Sequence, residues 1–240
     1  DYDVLKEPYC KEKNTEYFCF TNNNKLKSKI WKCIVIKNIY RDYRRSARFI
    51  KLLPQYFFYN CNISVWVDAS CKIKDSINGL IKESGTENQF ILYKHRQRNC
   101  VYKESKYIIM FRKEAKEIVK KQMKYYRNSS YPENYGLAET TILIRNLSDL
   151  NVLRFNLEWF KLLDEYSNRD QLSFNFVAWK NKFNYKLLEH SKSFEKYFEF
   201  VPHPKMKFYN EDGLRTNIII SNMAALYLKF RLWMKKITRK

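Results

Sequence analysis

Between Asn62 and Ser70 the chain reads Asn-Ile-Ser-Val-Trp-Val-Asp-Ala-Ser, with apolar and polar residues in alternation and β-branched residues enriched. Alternation with period two predicts a half-buried strand. The run stops at a carboxylate followed by two small residues, so the strand delivers Asp68 to the rim of a sheet. Upstream, apolar runs at 16–21 and 30–36 predict two short strands around the polar turn 22–28. From 37 to 53 the spacing becomes helical, and Pro54 ends it.

Downstream the pattern predicts a helix over 73–84, a strand over 89–93 and one long basic amphipathic helix over 103–127. A strand over 141–145 leads to a helix from about 151 to 166, with Leu153, Leu157, Phe160 and Leu163 as its buried stripe. A helix over 171–179 and a last strand over 184–188 follow, and 191–213 is mixed. From 221 onward one helix carries Leu226, Phe230, Trp233 and Ile237 on one face. The expected organisation is one catalytic domain over 1–215 and a basic amphipathic helix over 216–240.

The 240 residues are enough for one large α/β domain or two small ones. Glycine occurs only four times, which rules out a Gly-rich phosphate loop of the Walker or dinucleotide type. The net charge of +21 points to anionic partners: nucleic acid, anionic lipid or phosphate-bearing substrates. Abundant Lys, Asn, Ile and Tyr also fit an AT-rich coding bias, so charge alone does not choose among them. The six cysteines have no Cys-x-x-Cys spacing and read as reduced core thiols of a cytosolic protein. No secretory signal opens the chain, and no apolar run reaches the roughly 18 residues of a membrane span.

Several residues carry candidate chemistry. At the carboxyl end of a strand in an open α/β sheet, where ligands bind, Asp68 is placed to hold a divalent metal and a diphosphate; it also reads as a plain turn cap. Arg41, Arg44, Arg45 and Arg48 share one helical face, either a solvated face or a guanidinium wall for a diphosphate. Lys94, His95, Arg96 and Arg98 cluster after a strand and could grip a phosphate or an acceptor acid. Asp170 opens a helix, where an Asp commonly caps.

Four segments recur in a characteristic order: Arg44-Arg-Ser-Ala-Arg48-Phe-Ile-Lys51-Leu-Leu-Pro54; Ser64-Val-Trp-Val-Asp68-Ala-Ser70; Tyr93-Lys-His95-Arg-Gln-Arg98-Asn-Cys-Val-Tyr102; and Gly136-Leu-Ala-Glu139-Thr140 with Asn168-Arg169-Asp170-Gln171-Leu-Ser173-Phe. The series resembles a family of glycosyltransferase-like domains that includes plant enzymes of pectin and mucilage synthesis and proteins of bacterial surface-polysaccharide clusters. The resemblance covers roughly 1–190. It implies a GT-A-like α/β domain with a mixed, mainly parallel central sheet flanked by helices. It also implies a UDP-sugar donor, Mn²⁺ or Mg²⁺, and, by analogy with the plant members, a retaining outcome. Asp68 would be the metal residue; Ser70 stands where GT-A enzymes carry a second acid, which leaves room for metal-free transfer through the arginines and Lys51. His203 is a further candidate metal ligand.

A glycosyl transfer has to stabilise a departing diphosphate and an oxocarbenium-like centre. The resemblance implies that Arg44, Arg48, Lys51, Lys94, His95, Arg98, Arg169, Gln171, Ser70 and Asp68 line the nucleotide-sugar, with Asp170 as the key catalytic carboxylate and Glu139 second. The expected partners are a nucleotide-sugar donor, a glycan or glycolipid acceptor and, through 221–240, an anionic membrane surface, in capsule or lipopolysaccharide synthesis at the inner face of the plasma membrane. Two other readings stay open: a basic nucleic-acid-binding protein, and a metal-dependent nuclease or phosphoryl-transfer enzyme using Asp68, Glu139 and Asp170. No standard nucleic-acid motif appears in the chain.

Overall fold

A computed structural model describes residues 4–201 apart from 38, 59 and 86–88; at 191 and 192 it describes the backbone only. The predicted terminal helix, the 215/216 boundary and His203 lie outside the described residues.

The centre is a four-stranded sheet of β3 (Ile63–Val67), β6 (Ala138–Asn146), β5 (Phe90–Lys94) and β7 (Lys186–Leu188), in that spatial order. β6 runs antiparallel to both β3 and β5, and β7 is parallel to β5. Three of the four strands therefore point the same way, with β6 inserted against them, and the sheet is mixed. This arrangement gathers the carboxyl ends of β3 and β5 and the amino end of β6 at one rim. Gly136, at φ 94, makes the turn into β6; a side chain there would be strained.

Both faces of the sheet are covered, which is why β5 is buried from Phe90 to Tyr93 and only its last residue, Lys94, is exposed. Phe90 and Leu92 face a core shared with Leu52, Leu143, Phe155, Trp159, Phe174 and Phe176. Ile91 and Tyr93 face a second core with Ile73, Leu80, Ile142, Ile144 and Phe198. The first core is closed by α1 (Tyr43–Leu52), α3 (Val101–Met110), α4 (Lys116–Asn128), α5 (Leu150–Glu165) and α6 (Asp170–Lys180). The second is closed by α2 (Ile77–Ser84) and by β4 (Cys71–Ile73) paired antiparallel with β8 (Phe198–Phe200), which follows the single turn α7 (Glu195–Tyr197). The two N-terminal strands, β1 (Phe18–Thr21) and β2 (Lys32–Val35), form a separate parallel pair.

Four expectations need correction. The helix expected from 37 starts at Tyr43, because the Asp42 side chain accepts from Arg44 N and caps it there. The helix expected from 73 starts later: Ile73 is the last residue of β4, and helix α2 begins only after the Ser76 cap. The helix expected over 103–127 is two helices: the chain turns at 111–115, with Phe111 buried and Arg112 at φ 48. The buried stripe of α5 is Val152, Phe155, Trp159, Phe160 and Leu163, while Leu157 is 43% exposed. Two large aromatics outbid the leucines for the core, since ring burial contributes most area. All six cysteines carry free thiols, Cys71 and Cys100 fully buried.

Candidate active site

Lys51 is the centre of the site. It lies in the last turn of α1 and is completely inaccessible to solvent. Its Nζ donates to Asp68 Oδ1 at 2.9 Å and lies 2.8 Å from Asp170 Oδ2, off the hydrogen-bond direction. Asp68 Oδ1 also accepts from the Trp66 indole N–H at 2.6 Å. Asp170 Oδ1 lies 3.3 Å from Arg48 Nε. Burial pushes the Asp170 carboxyl up, but Arg48, Lys51 and Arg169 outweigh it and hold the group well below the usual carboxylate range. The amino end of α6 acts in the same direction, because a helix N-terminus favours a negative charge.

The surrounding framework fixes these groups. Arg145, on β6 and 1% exposed, donates Nη1 to Lys51 O at 2.8 Å and so ties the end of α1 to the sheet. Its Nε has no hydrogen-bond partner among the described residues, and burial pulls its pKa down to about 9. The Trp159 indole donates to Asp170 O at 3.2 Å and to Ser173 Oγ at 2.9 Å, locking the first turn of α6. Asn168 is held by Asp42 and Arg45, and its N–H donates to Glu114 Oε2 at 3.1 Å. That last bond requires the break between α3 and α4.

A second group of charges adjoins the first. Arg98 is ion-paired with Glu104, and its guanidinium lies 4.3 Å from the centre of the Tyr107 ring. Lys113 Nζ reaches the same ring at 4.8 Å. No carboxylate among the described residues is within ion-pair range of Lys113; burial, Arg169 and Arg98 bring its pKa down to about 8, against a smaller pull from Glu104. Arg169 is lowered by burial and by Arg48, and its Nε is buried without a partner among the described residues. This rim holds more cations than its own acids neutralise.

Glu139 belongs to a third group at the amino end of β6. Its Oε2 is 3.2 Å from His190 Nε2, its Oε1 accepts from Thr141 Oγ1 at 3.1 Å, and Arg96 reaches the same imidazole nitrogen at 3.0 Å. Burial raises the Glu139 carboxyl, but His190 and Arg96 bring it below its usual value. Burial pushes the Cys71 thiol up to about 12, with the charges of Asp68 and Glu139 adding to the effect.

The other expected residues are placed differently. His95 accepts from the backbone N–H groups of Gln97 and Arg98 at Nδ1, which makes it the organiser of its loop. Burial and Arg98 lower its pKa to about 4, so it is neutral at physiological pH and is no cationic grip. Lys94 pairs with Glu189 in solvent, and Arg44 lies 3.7 Å from Asp42. Gln171 is half-buried in the first turn of α6. Ser70 is buried, and its carbonyl accepts from Val201 N at 2.8 Å. Trp66, Glu104, Lys113, Arg145 and His190 were not anticipated. A lone cation in the apolar run Ile142-Leu-Ile-Arg145 was the one available signal for Arg145.

The donor set does not fit a divalent cation. Both Asp170 oxygens face cations, Asp68 has one oxygen left, and Ser70 is buried where a second acid would be needed. Among the described residues no three His, Cys, Asp or Glu side chains group as a metal site.

A sequence model of the TOD1/MUCI70 glycosyltransferase-like domain matches residues 11–203. The chain belongs to this family. It is similar to the probable hexosyltransferase MUCI70 of Arabidopsis thaliana, 26% identical over 159 residues, which is 62% of this chain and 27% of that protein. The chain thus spans about a quarter of the curated relative it matches. The TOD1/MUCI70 match takes in every group described above, from α1 to His190. No helix among the described residues is long and apolar enough to cross a membrane.

Proposed function

We propose that this TOD1/MUCI70 domain is a glycosyltransferase that moves a hexosyl or uronosyl group from a nucleoside-diphosphate sugar, with UDP as the first candidate, to a glycan or glycolipid acceptor. The observation that carries the reading is the Asp68–Lys51–Asp170 constellation with Arg48 and Arg169, at the carboxyl end of β3. A GT-A-like fold fits the single antiparallel strand β6 within an otherwise unidirectional sheet.

The acids argue for the same chemistry. A glycoside hydrolase needs a carboxyl with a raised pKa to protonate its leaving group. Both Asp170 and Glu139 are shifted down instead. A nucleoside diphosphate departs without a proton if cations receive its charge, and Arg48, Arg98, Lys113 and Arg169 supply them. Asp170, ionised at every working pH, stabilises positive charge developing on the sugar. Glu139, oriented by His190 and Thr141, would serve as the second carboxylate, toward the acceptor hydroxyl. Acceptor delivery at an anionic membrane surface would fall to the basic stretch 221–240, where six of the last twelve residues are Lys or Arg.

The test is calorimetric titration of the purified chain with UDP and UDP-hexoses, followed by transfer assays. Micromolar binding, on the order of 8 kcal/mol, that is lost in Arg48→Met supports the proposal. No binding of any nucleoside diphosphate would sink it.

A further inference from the structure

We infer that the cation at the centre of this site is the Lys51 ammonium, and that sugar transfer here proceeds without a divalent metal. The inference rests on the transferase reading above and adds to it the cofactor requirement.

A divalent cation binds where several oxygen ligands converge and remain free. Here the two carboxylates that converge, Asp68 and Asp170, converge on Lys51 Nζ, at 2.9 and 2.8 Å. The second oxygen of Asp170 faces Arg48, and Trp66 takes the remaining hydrogen-bonding direction of Asp68 Oδ1. Only Asp68 Oδ2 stays available, on a side chain 29% exposed. A metal there would sit within a few ångströms of a fully buried ammonium. Two like charges at such a distance in a low-dielectric site repel by several kcal/mol, about 4 at 4 Å and unit charge. The Lys51 ammonium is held in place by its two carboxylates and its complete burial, on a backbone that Arg145 fixes by donating to the Lys51 carbonyl at 2.8 Å. The charge that a metal supplies to a departing diphosphate is present already in the guanidinium and ammonium groups of the rim.

The decisive experiment uses Mn²⁺ itself. Wild-type protein is titrated into Mn²⁺ and the free-ion signal followed by electron paramagnetic resonance, with UDP absent and with UDP present, corrected for Mn²⁺ held by UDP alone. In parallel, UDP binding is measured by calorimetry in EDTA and in Mn²⁺. The expected result is no loss of free-ion signal without UDP, and UDP affinities that agree within about twofold, or 0.4 kcal/mol. Lys51→Ala, which uncovers the Asp68–Asp170 pair, should gain Mn²⁺ binding if circular dichroism shows it folded; the wild-type arms stand without it. One Mn²⁺ bound per wild-type chain and lost in Asp68→Asn would overturn the inference, as would UDP binding tightened tenfold or more by Mn²⁺. If UDP binds under neither condition the transferase reading fails, while the Mn²⁺-alone arm still decides whether Lys51 excludes the metal.

Discussion

Lys51 Nζ lies 2.8 Å from Asp170 Oδ2, with neither side chain more than 5% exposed, although the two residues are far apart in sequence. The pair joins the carboxyl end of α1 to the amino end of α6 under the rim of the sheet. A buried ion pair adds little net stability against an apolar substitute, yet losing one partner strands the other. Lys51→Met should therefore lower unfolding stability by about 3–5 kcal/mol in urea titrations, because Asp170 keeps only Arg48 and Arg169. Asp170→Asn should cost less, since Lys51 retains Asp68. Equal losses would contradict the central place given to Lys51.

The depressed carboxyl of Asp170 sets the acid limb of the stability profile. Its folded pKa is below the unfolded value of about 3.9, so the contribution is complete above that value, declines as pH falls below it and is gone once pH has passed through the lower folded pKa. Asp170→Asn should flatten the fall in stability below pH 4. An unchanged acid limb would mean that other carboxylates dominate.

Lys113 gives a dependence of the same sign at alkaline pH. Its pKa falls from 10.5 to about 8 on folding, so between these values the unfolded chain holds the extra proton and stability rises with pH. Below pH 8 the buried charge burdens the fold, and Lys113→Met should relieve roughly 1–3 kcal/mol at pH 7. The same charge serves an incoming anion. UDP affinity should decline as pH rises through about 8 in the wild type and stay flat in Lys113→Met. A parallel decline in both proteins would remove Lys113 from the anion seat.

The candidate site was legible in the sequence where periodicity locates element ends. Asp68 ends an alternating strand, Asp170 starts a helix, and Arg48 and Lys51 lie within one helical span; the structure brings these four together. The direction of Lys51 was not legible, because a lysine in the last turn of an amphipathic helix ordinarily faces water. The break at 111–115 was hidden for a related reason. It contains neither Pro nor Gly, and what holds Arg112 at positive φ is tertiary: buried Phe111, Lys113 N bonded to Ile108 O at 3.0 Å, and Glu114 accepting from Asn168. In α5 the apolar residues support two different stripes, and only the facing sheet selects Phe155 and Trp159 over Leu157.

His95 shows how a charged-looking residue becomes a structural one. With a folded pKa of about 4 against 6.5 unfolded, it contributes stability above pH 6.5 that is lost as pH falls toward 4. His95→Ala should unbind the amides of Gln97 and Arg98, speeding their hydrogen exchange by about tenfold or more, at a cost of roughly 1–3 kcal/mol. Binding and transfer should show no inflection near pH 6.5 that vanishes in this variant. Such an inflection would restore His95 as a titrating ligand.

Arg145 separates stability from function. It is a buried cation with one bond to a carbonyl, an unpartnered Nε and no facing carboxylate among the described residues. Burying such a charge is costly, so Arg145→Met, of similar length, should leave stability unchanged or raise it. It also releases the carbonyl of Lys51, which loosens the last turn of α1 and the ammonium that sits between Asp68 and Asp170. The expected outcome is a fold as stable as the wild type by urea titration, with UDP bound about tenfold more weakly, or 1.4 kcal/mol. If affinity holds while stability falls, Arg145 serves the core, and the position of Lys51 is secured by its own two carboxylates.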